Sequence, residues 1–142
     1  MPAIVRRARR FLLALLLAPA SLAAQTSLTD ADYLALGRKY YDWFVSAEAD
    51  SILAHLSPEA REGAGGLDGV HQAIVDFLTR AGVETELVEE KMTRRNGRPQ
   101  YWRESRYASF TEESLVFRWV FNDAGELDGV GMGPRSRTPA PD

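Results

Sequence analysis

The pattern of apolar and polar positions changes period once, near residue 82. Before that point apolar residues recur at three- and four-residue steps, the spacing that lines one face of a helix; after it they alternate, as in a half-buried strand. Tyr33, Leu36, Tyr40, Trp43 and Phe44 make the first stripe, flanked by Leu34, Tyr41 and Val45. Thr29 is suited to cap this helix, and Asp30 and Asp32 to sit at its positive end. The helix is predicted to run to about Ser46. Asp50 is placed to cap a short second helix through Ile52, Leu53 and Leu56. Ser57-Pro58-Glu59 opens a third piece, with Ser as cap and Pro at the first helical position, ending at Gly63. A flexible Gly63-Ala64-Gly65-Gly66 follows. Asp68 is then expected to cap a helix whose Val70, Ile74, Phe77, Leu78 and Ala81 share a face, with Gly82 just past its end.

Beyond Gly82 the pattern predicts four strands. Val83 to Thr93 is β-rich but charged, and its imperfect alternation predicts a bulge or an exposed edge. Asn96-Gly97 signals a tight hairpin. Gln100 to Ser109 puts Tyr101, Arg103, Ser105 and Tyr107 on one face and Trp102, Glu104, Arg106 and Ala108 on the other. Thr111-Glu112-Glu113 is expected to turn the chain. Ser114 to Phe121 alternates most clearly, with Leu115, Phe117, Trp119 and Phe121 on one side. Asn122-Asp123-Ala124-Gly125 is a second hairpin loop, and Glu126 to Met132 the last strand. Helices followed by an antiparallel meander make an α+β domain. One sheet face is expected to pack on the helices and the other to be solvated or to pair with another subunit.

The N-terminus adds an address. Met1 to Arg10 holds four arginines and no acid, the run Phe11 to Ala18 is apolar, and Ala20-Ser21-Leu22-Ala23-Ala24 is small. A basic segment, a short apolar core and a small-residue zone together read as an export signal. Pro19 interrupts the run, which falls short of the about 20 apolar residues that span a bilayer. The expected organisation is a signal peptide over residues 1–23, a tether over 24–28, one domain over 29–134 and a disordered tail over 135–142. The mature chain then works in the periplasm or is secreted. With no cysteine in the chain, a lipid-modified N-terminus and disulfides are both excluded. Removing the four arginines takes the formal charge from −3 to −7. So acidic a domain repels phosphate backbones, which argues against nucleic acid as a partner.

Three stretches carry a family resemblance: Tyr40 to Asp50, Leu53 to Glu59, and Phe117 to Val130 with its acidic-Gly hairpin. Together they resemble the NTF2-like superfamily, of cystatin-like fold, including its SnoaL-like and DUF3887-like members. The resemblance implies a curved sheet wrapped around a long helix, with a pocket between them. Catalytic relatives place an Asp or His base and Tyr donors in such a pocket, and no position here matches their motifs.

Candidate residues follow from the patterns. Tyr41, Tyr101, Arg103, Tyr107 and Trp119 are the ligand-binding candidates. The tyrosines offer walls with hydroxyl handles, and Arg103 could attract an anion or pair with a glutamate of the neighbouring strand. Asp42 and the only two histidines, His55 and His71, are weak acid–base candidates. No metal-ligand spacing and no phosphate-binding or cofactor motif is present, so neither metal nor cofactor is expected. The leading expectation is a non-catalytic exported domain that binds a small apolar or amphipathic molecule in its cone, or self-associates as a homodimer through its sheet. The alternative is a small cofactor-independent enzyme of isomerase, dehydratase or hydrolase type.

Overall fold

The computed structural model describes residues 27–142. The expected signal peptide and most of the tether lie outside them. The elements run α1 (Asp30–Val45), α2 (Ala49–Ala54), α3 (Pro58–Gly63), α4 (Gly66–Ala81), then β1 (Glu84–Arg95), β2 (Arg98–Tyr107), β3 (Phe110–Phe121) and β4 (Leu127–Pro134). The four strands form one curved antiparallel meander in the order β1-β2-β3-β4. The fold is α+β, with the helices preceding the sheet and packed on its inner face. No described helix is long and apolar enough to cross a membrane.

Local chemistry explains most boundaries. Thr29 and Asp32 form a reciprocal capping box at the start of α1, satisfying donors that the first turn would leave open. Tyr33, Gly37, Tyr40, Tyr41 and Phe44 bury the inner stripe of α1. Trp43, expected in that stripe, lies at its margin with Lys39 Nζ 4.5 Å from its ring centre. Ser57 caps α3 through its hydroxyl, which accepts from Ala60 N at 3.2 Å.

Two predicted caps move. α2 starts at Ala49, so Asp50 lies inside its first turn. The turn is set instead by Ala47, which adopts φ of 58° and lets Glu48 N return to Trp43 O at 2.8 Å. α4 starts at Gly66, after Gly65 in the left-handed region, and Asp68 is likewise inside its first turn. Backbone conformations open to glycine displaced side-chain capping there. His71 therefore sits one turn deeper in its helix than the sequence suggested.

In the sheet, Asn96 and Gly97 both have positive φ, as a two-residue hairpin of the primed type requires. β1 carries two register shifts, between Glu84 and Glu86 and between Leu87 and Glu89. The β2–β3 turn falls at Ala108-Ser109, with Tyr107 opposite Phe110; Thr111-Glu112-Glu113 belong to β3 rather than to a turn. The reason is tertiary. Ala108 N bonds to Val83 O and Ser109 N to Ala81 O, each at 2.9 Å, which pins this turn to the end of α4.

Leu115, Phe117, Trp119 and Phe121 are all buried on the inner face, where Phe44, Phe77 and Phe117 meet edge to face. The outer face is not simply solvated. Trp102 is 1% exposed, flanked by Lys91 Nζ and the Arg135 guanidinium at 5.7 and 5.4 Å from its ring centre. The last residues, expected as a frayed tail, are tied down. A 3-10 turn spans Arg135–Arg137, Ser136 donates twice to the Glu113 carboxylate, and Gly97 N donates to Asp142 at 3.0 Å.

Helix and sheet meet most closely where Gly37 faces Tyr101. A Cβ on Gly37 would lie 2.2 Å from Tyr101 Cγ and 2.7 Å from its Cβ. Gly37→Ala is therefore expected to destabilise the fold by about 1–3 kcal/mol, the usual cost of overpacking. The check is a lower urea midpoint at unchanged m-value.

Candidate functional site

Two features stand out under the helices, one polar and one apolar. The polar one lies where α1 crosses β1 and β2. The two-residue hairpin sets Arg95 opposite Arg98, and counting back from it places Glu90 opposite Arg103 and Met92 opposite Tyr101. The bulges in β1 then bring Glu84 opposite Tyr107. Strand alternation points Tyr101, Arg103, Ser105 and Tyr107 inward together. From above, α1 supplies Tyr41 and Arg38.

These side chains form one network. Arg103 grips Glu84 with two bonds, Nε to Oε2 at 3.0 Å and Nη2 to Oε1 at 2.7 Å. Its Nη1 donates to Glu90 Oε1 at 3.2 Å. The Arg103 guanidinium also lies 4.2 Å from the centre of the Tyr41 ring. Tyr41 Oη donates to Glu84 and is 2.8 Å from Tyr107 Oη. Tyr101 Oη donates to Glu90 Oε1 at 2.6 Å, and Arg38 Nε donates to Glu90 Oε2 at 2.8 Å. Two carboxylates thus meet two guanidiniums, Tyr41 and Tyr101 each donate to one of the carboxylates, and Tyr107 joins the network through the Tyr41 hydroxyl.

The electrostatics follow from that closure. Burial alone would raise the pKa of Glu84 and Glu90, but hydrogen bonds from arginine and tyrosine outweigh it and hold both below the ordinary carboxylate value. Burial, reinforced by the glutamates, pushes the Tyr41 and Tyr101 hydroxyls well above the ordinary phenol value. Burial likewise pushes Tyr107 up to about 12. Burial disfavours the charge on Arg103, yet its hydrogen bonds to Glu84 and Tyr101 more than restore it. Every carboxylate and phenol of the network has shifted away from neutrality. An acid–base catalyst is tuned the opposite way.

The structure brings together Tyr41, Tyr101, Arg103 and Tyr107 from the sequence candidates. It separates them from the others. Asp42 is exposed on the far side of α1, and His71 is exposed on α4. His55 is held by a 2.8 Å bond between Nδ1 and Ser51 O, with its ring near Trp43 and Tyr40. Arg103 takes the alternative of the two roles the sequence offered, pairing with glutamates of the neighbouring strand. Among the described residues no group of three His, Cys, Asp or Glu could hold a metal ion. A cleft of about 440 Å³ opens beside the network, walled by Tyr41, Val45, Leu78, Val83, Glu84 and Tyr107.

The apolar feature lies between α4 and β4. α4 packs chiefly against α2 and leaves a groove against the sheet. Its inner half, about 360 Å³, is walled by Phe44, Ile52, Leu56, Val70, Ile74, Trp119 and Val130, with Asp128 as its sole ionisable residue. Its outer half, about 430 Å³, is walled by Phe77, Ala81, Phe110, Leu115 and Pro134, with Asp76 and Arg80 at the margin. Ala73 and Met132 line both halves, so they share a waist. Of the sequence candidates, only Trp119 lines this groove. A larger recess of about 770 Å³ beside Asp30, Tyr33 and Arg94, where the described chain begins, touches neither feature.

Sequence reasoning missed Arg38, Glu84 and Glu90, and all of the groove except Trp119. The charged alternation of Val83 to Thr93 pointed only to a bulge or an exposed edge. The Asn96-Gly97 register already implied the Glu90–Arg103 pair, whereas the position of Glu84 depends on the bulges.

Comparison with protein-family models, with curated proteins and with solved structures gives no match.

The network makes a pH prediction. Glu84 and Glu90 have folded pKa values below their ordinary 4.5, so the stability they contribute is present above about pH 4.5 and is lost as pH falls through the folded values. Tyr107 has a folded value of about 12 against an ordinary 10.0, so its contribution is present below pH 10 and is lost as pH rises towards 12. Glu84→Gln is expected to flatten the acid limb and to cost about 1.5–3 kcal/mol at pH 7, the worth of hydrogen bonds to a charged group. Urea unfolding across pH measures both.

Proposed function

We propose that this chain is an exported, non-catalytic domain of NTF2-like kind that binds a small apolar or amphipathic molecule. The binding site is the groove between α4 and β4. The observation that carries the reading is its continuity. Two apolar recesses, each within the ~300–1,000 Å³ usual for small-molecule sites, join at Ala73 and Met132. The groove reaches down to side chains of the buried core, including Phe44, Ile74 and Trp119, which is more than a surface crease offers.

The polar network supports a non-catalytic reading. Its two arginines are matched by two glutamates, and its carboxylates are held ionised by hydrogen bonds already made. A general base needs a carboxylate with a raised pKa and a free lone pair facing a cleft. The enzyme reading retains one supporting observation, the cleft in which Tyr41, Glu84 and Tyr107 meet.

Native mass spectrometry of the protein purified from its own compartment tests the reading directly, through a co-purifying small molecule and the oligomeric state. A titration with Nile red, an uncharged apolar dye, locates the site. Ala73 is exposed, so Ala73→Trp fills the waist without disturbing the core. It is expected to weaken Nile red binding at least about tenfold, with the urea midpoint unchanged. Equal binding by both proteins would remove the groove as the site.

A further inference from the structure

The outer face of the sheet, away from the groove, holds a half-buried cation without a counter-charge. Register and alternation put Lys91, Arg95, Arg98, Arg106 and Arg118 on this face with Trp102. Arg135 joins them from the segment after β4. Most of these cations are matched. Lys91 pairs with Glu89 at 2.8 Å, Arg106 with Glu86 at 3.3 Å and Arg135 with Glu104 at 3.3 Å. Arg98 pairs with Asp128. Among the described residues, Arg118 and Arg95 are left with no carboxylate.

Arg118 stands on β3 opposite Trp102 on one side and Gly131 on the other. Its side chain lies over the bare backbone of β4. A Cβ at Gly131 would be 2.5 Å from Nη2, 2.9 Å from Cζ and 3.1 Å from Nε. Of the buried side-chain atoms without a partner among the described residues, Arg118 Nε alone belongs to an ion; the rest are the Trp102 and Trp119 indole nitrogens and the Ser105 hydroxyl. The terminal nitrogens of Arg118 are not buried, and among the described residues they too make no hydrogen bond or ion pair. A cation drawn partly out of water without a counter-charge is costly. Burial, and then the charge of Arg95, hold this guanidinium below the ordinary arginine value. Its neighbours bring no relief. Trp102 is already flanked by Lys91 and Arg135, and β4 offers no side chain at Gly129, Gly131 or Gly133. The surface along β4 is open: a Cβ at Gly133 would meet nothing within 4 Å. A guanidinium with free terminal nitrogens is a fork that fits the paired oxygens of a carboxylate or a phosphate.

We propose that Arg118, assisted by Arg95, forms a binding site on the outer face for one small oxyanion, a carboxylate or a phosphate, held by the terminal nitrogens of Arg118. The site is separate from the groove between α4 and β4. The chain as a whole carries a formal charge of −3, which opposes a polyanion or an anionic bilayer. A free small anion is therefore the expected source.

The backbone amide resonance of Gly131, under the guanidinium, reports on the site. It is followed by NMR as inorganic phosphate or acetate is titrated in, with sodium chloride holding the ionic strength constant. A saturable shift is expected. Arg118→Gln is expected to weaken binding at least about tenfold, the worth of a hydrogen bond to a charged group. Arg95→Gln leaves the fork in place and is expected to cost about threefold, the worth of a second charge close by in water. Arg61→Gln removes an equal charge from an exposed position on α3 and is expected to leave the affinity unchanged. Saturating phosphate should also raise the urea midpoint of the protein and not that of Arg118→Gln. Sedimentation with vesicles of phosphatidylcholine and phosphatidylglycerol tests the other source of a phosphate group.

Vesicle binding that requires Arg118, with no response to the free anions, would keep the site and move its oxyanion onto a lipid headgroup. No saturable shift with either anion and no vesicle binding would overturn the site. Equal affinities for the protein and Arg118→Gln would also overturn it. A loss in Arg61→Gln as large as that in Arg118→Gln would do the same, because net charge alone would then account for the binding. None of these outcomes bears on the groove, which Nile red reports separately.

Discussion

An arginine on the inner face of the sheet, under a helix, constrains the rest of this molecule. Arg103 cannot be left there without counter-charge, because taking a cation from water costs more than any single contact returns. Its partners come from one strand, whose register must deliver both. The hairpin at Asn96-Gly97 brings Glu90 into place directly. Glu84 arrives only because β1 is bulged twice. The helix then closes over the pair with the Tyr41 ring on the guanidinium and its hydroxyl on Glu84. Gly37 lets the same helix approach Tyr101 closely enough to do so. Strand register, bulges and helix height are coupled through one cation.

That coupling also explains why the two sides of the domain differ. Over β1 and β2 the helix–sheet interface is tight and polar, with its charges matched. Over β4 it is loose and apolar. α4 takes its packing from α2, and the wall it presents to the sheet is built partly of small residues, Gly69 and Ala73, beside Ala64 at the end of α3. Small side chains on a helix leave space that the sheet does not fill, and the space is lined by Met132, Val130 and Trp119. The ionic site is saturated and the apolar one is open, which is the contrast on which the proposed ligand site rests.

The outer face of the sheet follows a different rule. Gly129, Gly131 and Gly133 alternate along β4, and the Arg118 guanidinium lies over the backbone at Gly131, where a Cβ would be 2.5 Å from its Nη2. Trp102 is covered by Lys91 and Arg135 rather than by another layer of structure. Long cationic side chains spread their stems over apolar surface and keep their charges near water. Alternation along β2 therefore placed Trp102 on the right face without revealing that it is buried.

Periodicity by itself determined the α+β class, the number and order of strands, the hairpin at Asn96-Gly97, the Ser57 cap and the burial of Leu115, Phe117, Trp119 and Phe121. Each depends on residues near one another in the chain. It also grouped Tyr101, Arg103 and Tyr107 on one face, since alternation in a strand is local. Beyond the Glu90–Arg103 pairing that the hairpin register implies, the tertiary structure decided what those residues meet. The bulges that aim Glu84, the turn drawn to Ala108-Ser109 by the end of α4, and the tail fastened to Glu113 and Gly97 are settled by contacts between distant segments. The groove is the clearest case. A cavity is the space that two separate elements fail to fill, and no run of residues encodes it until both have been packed.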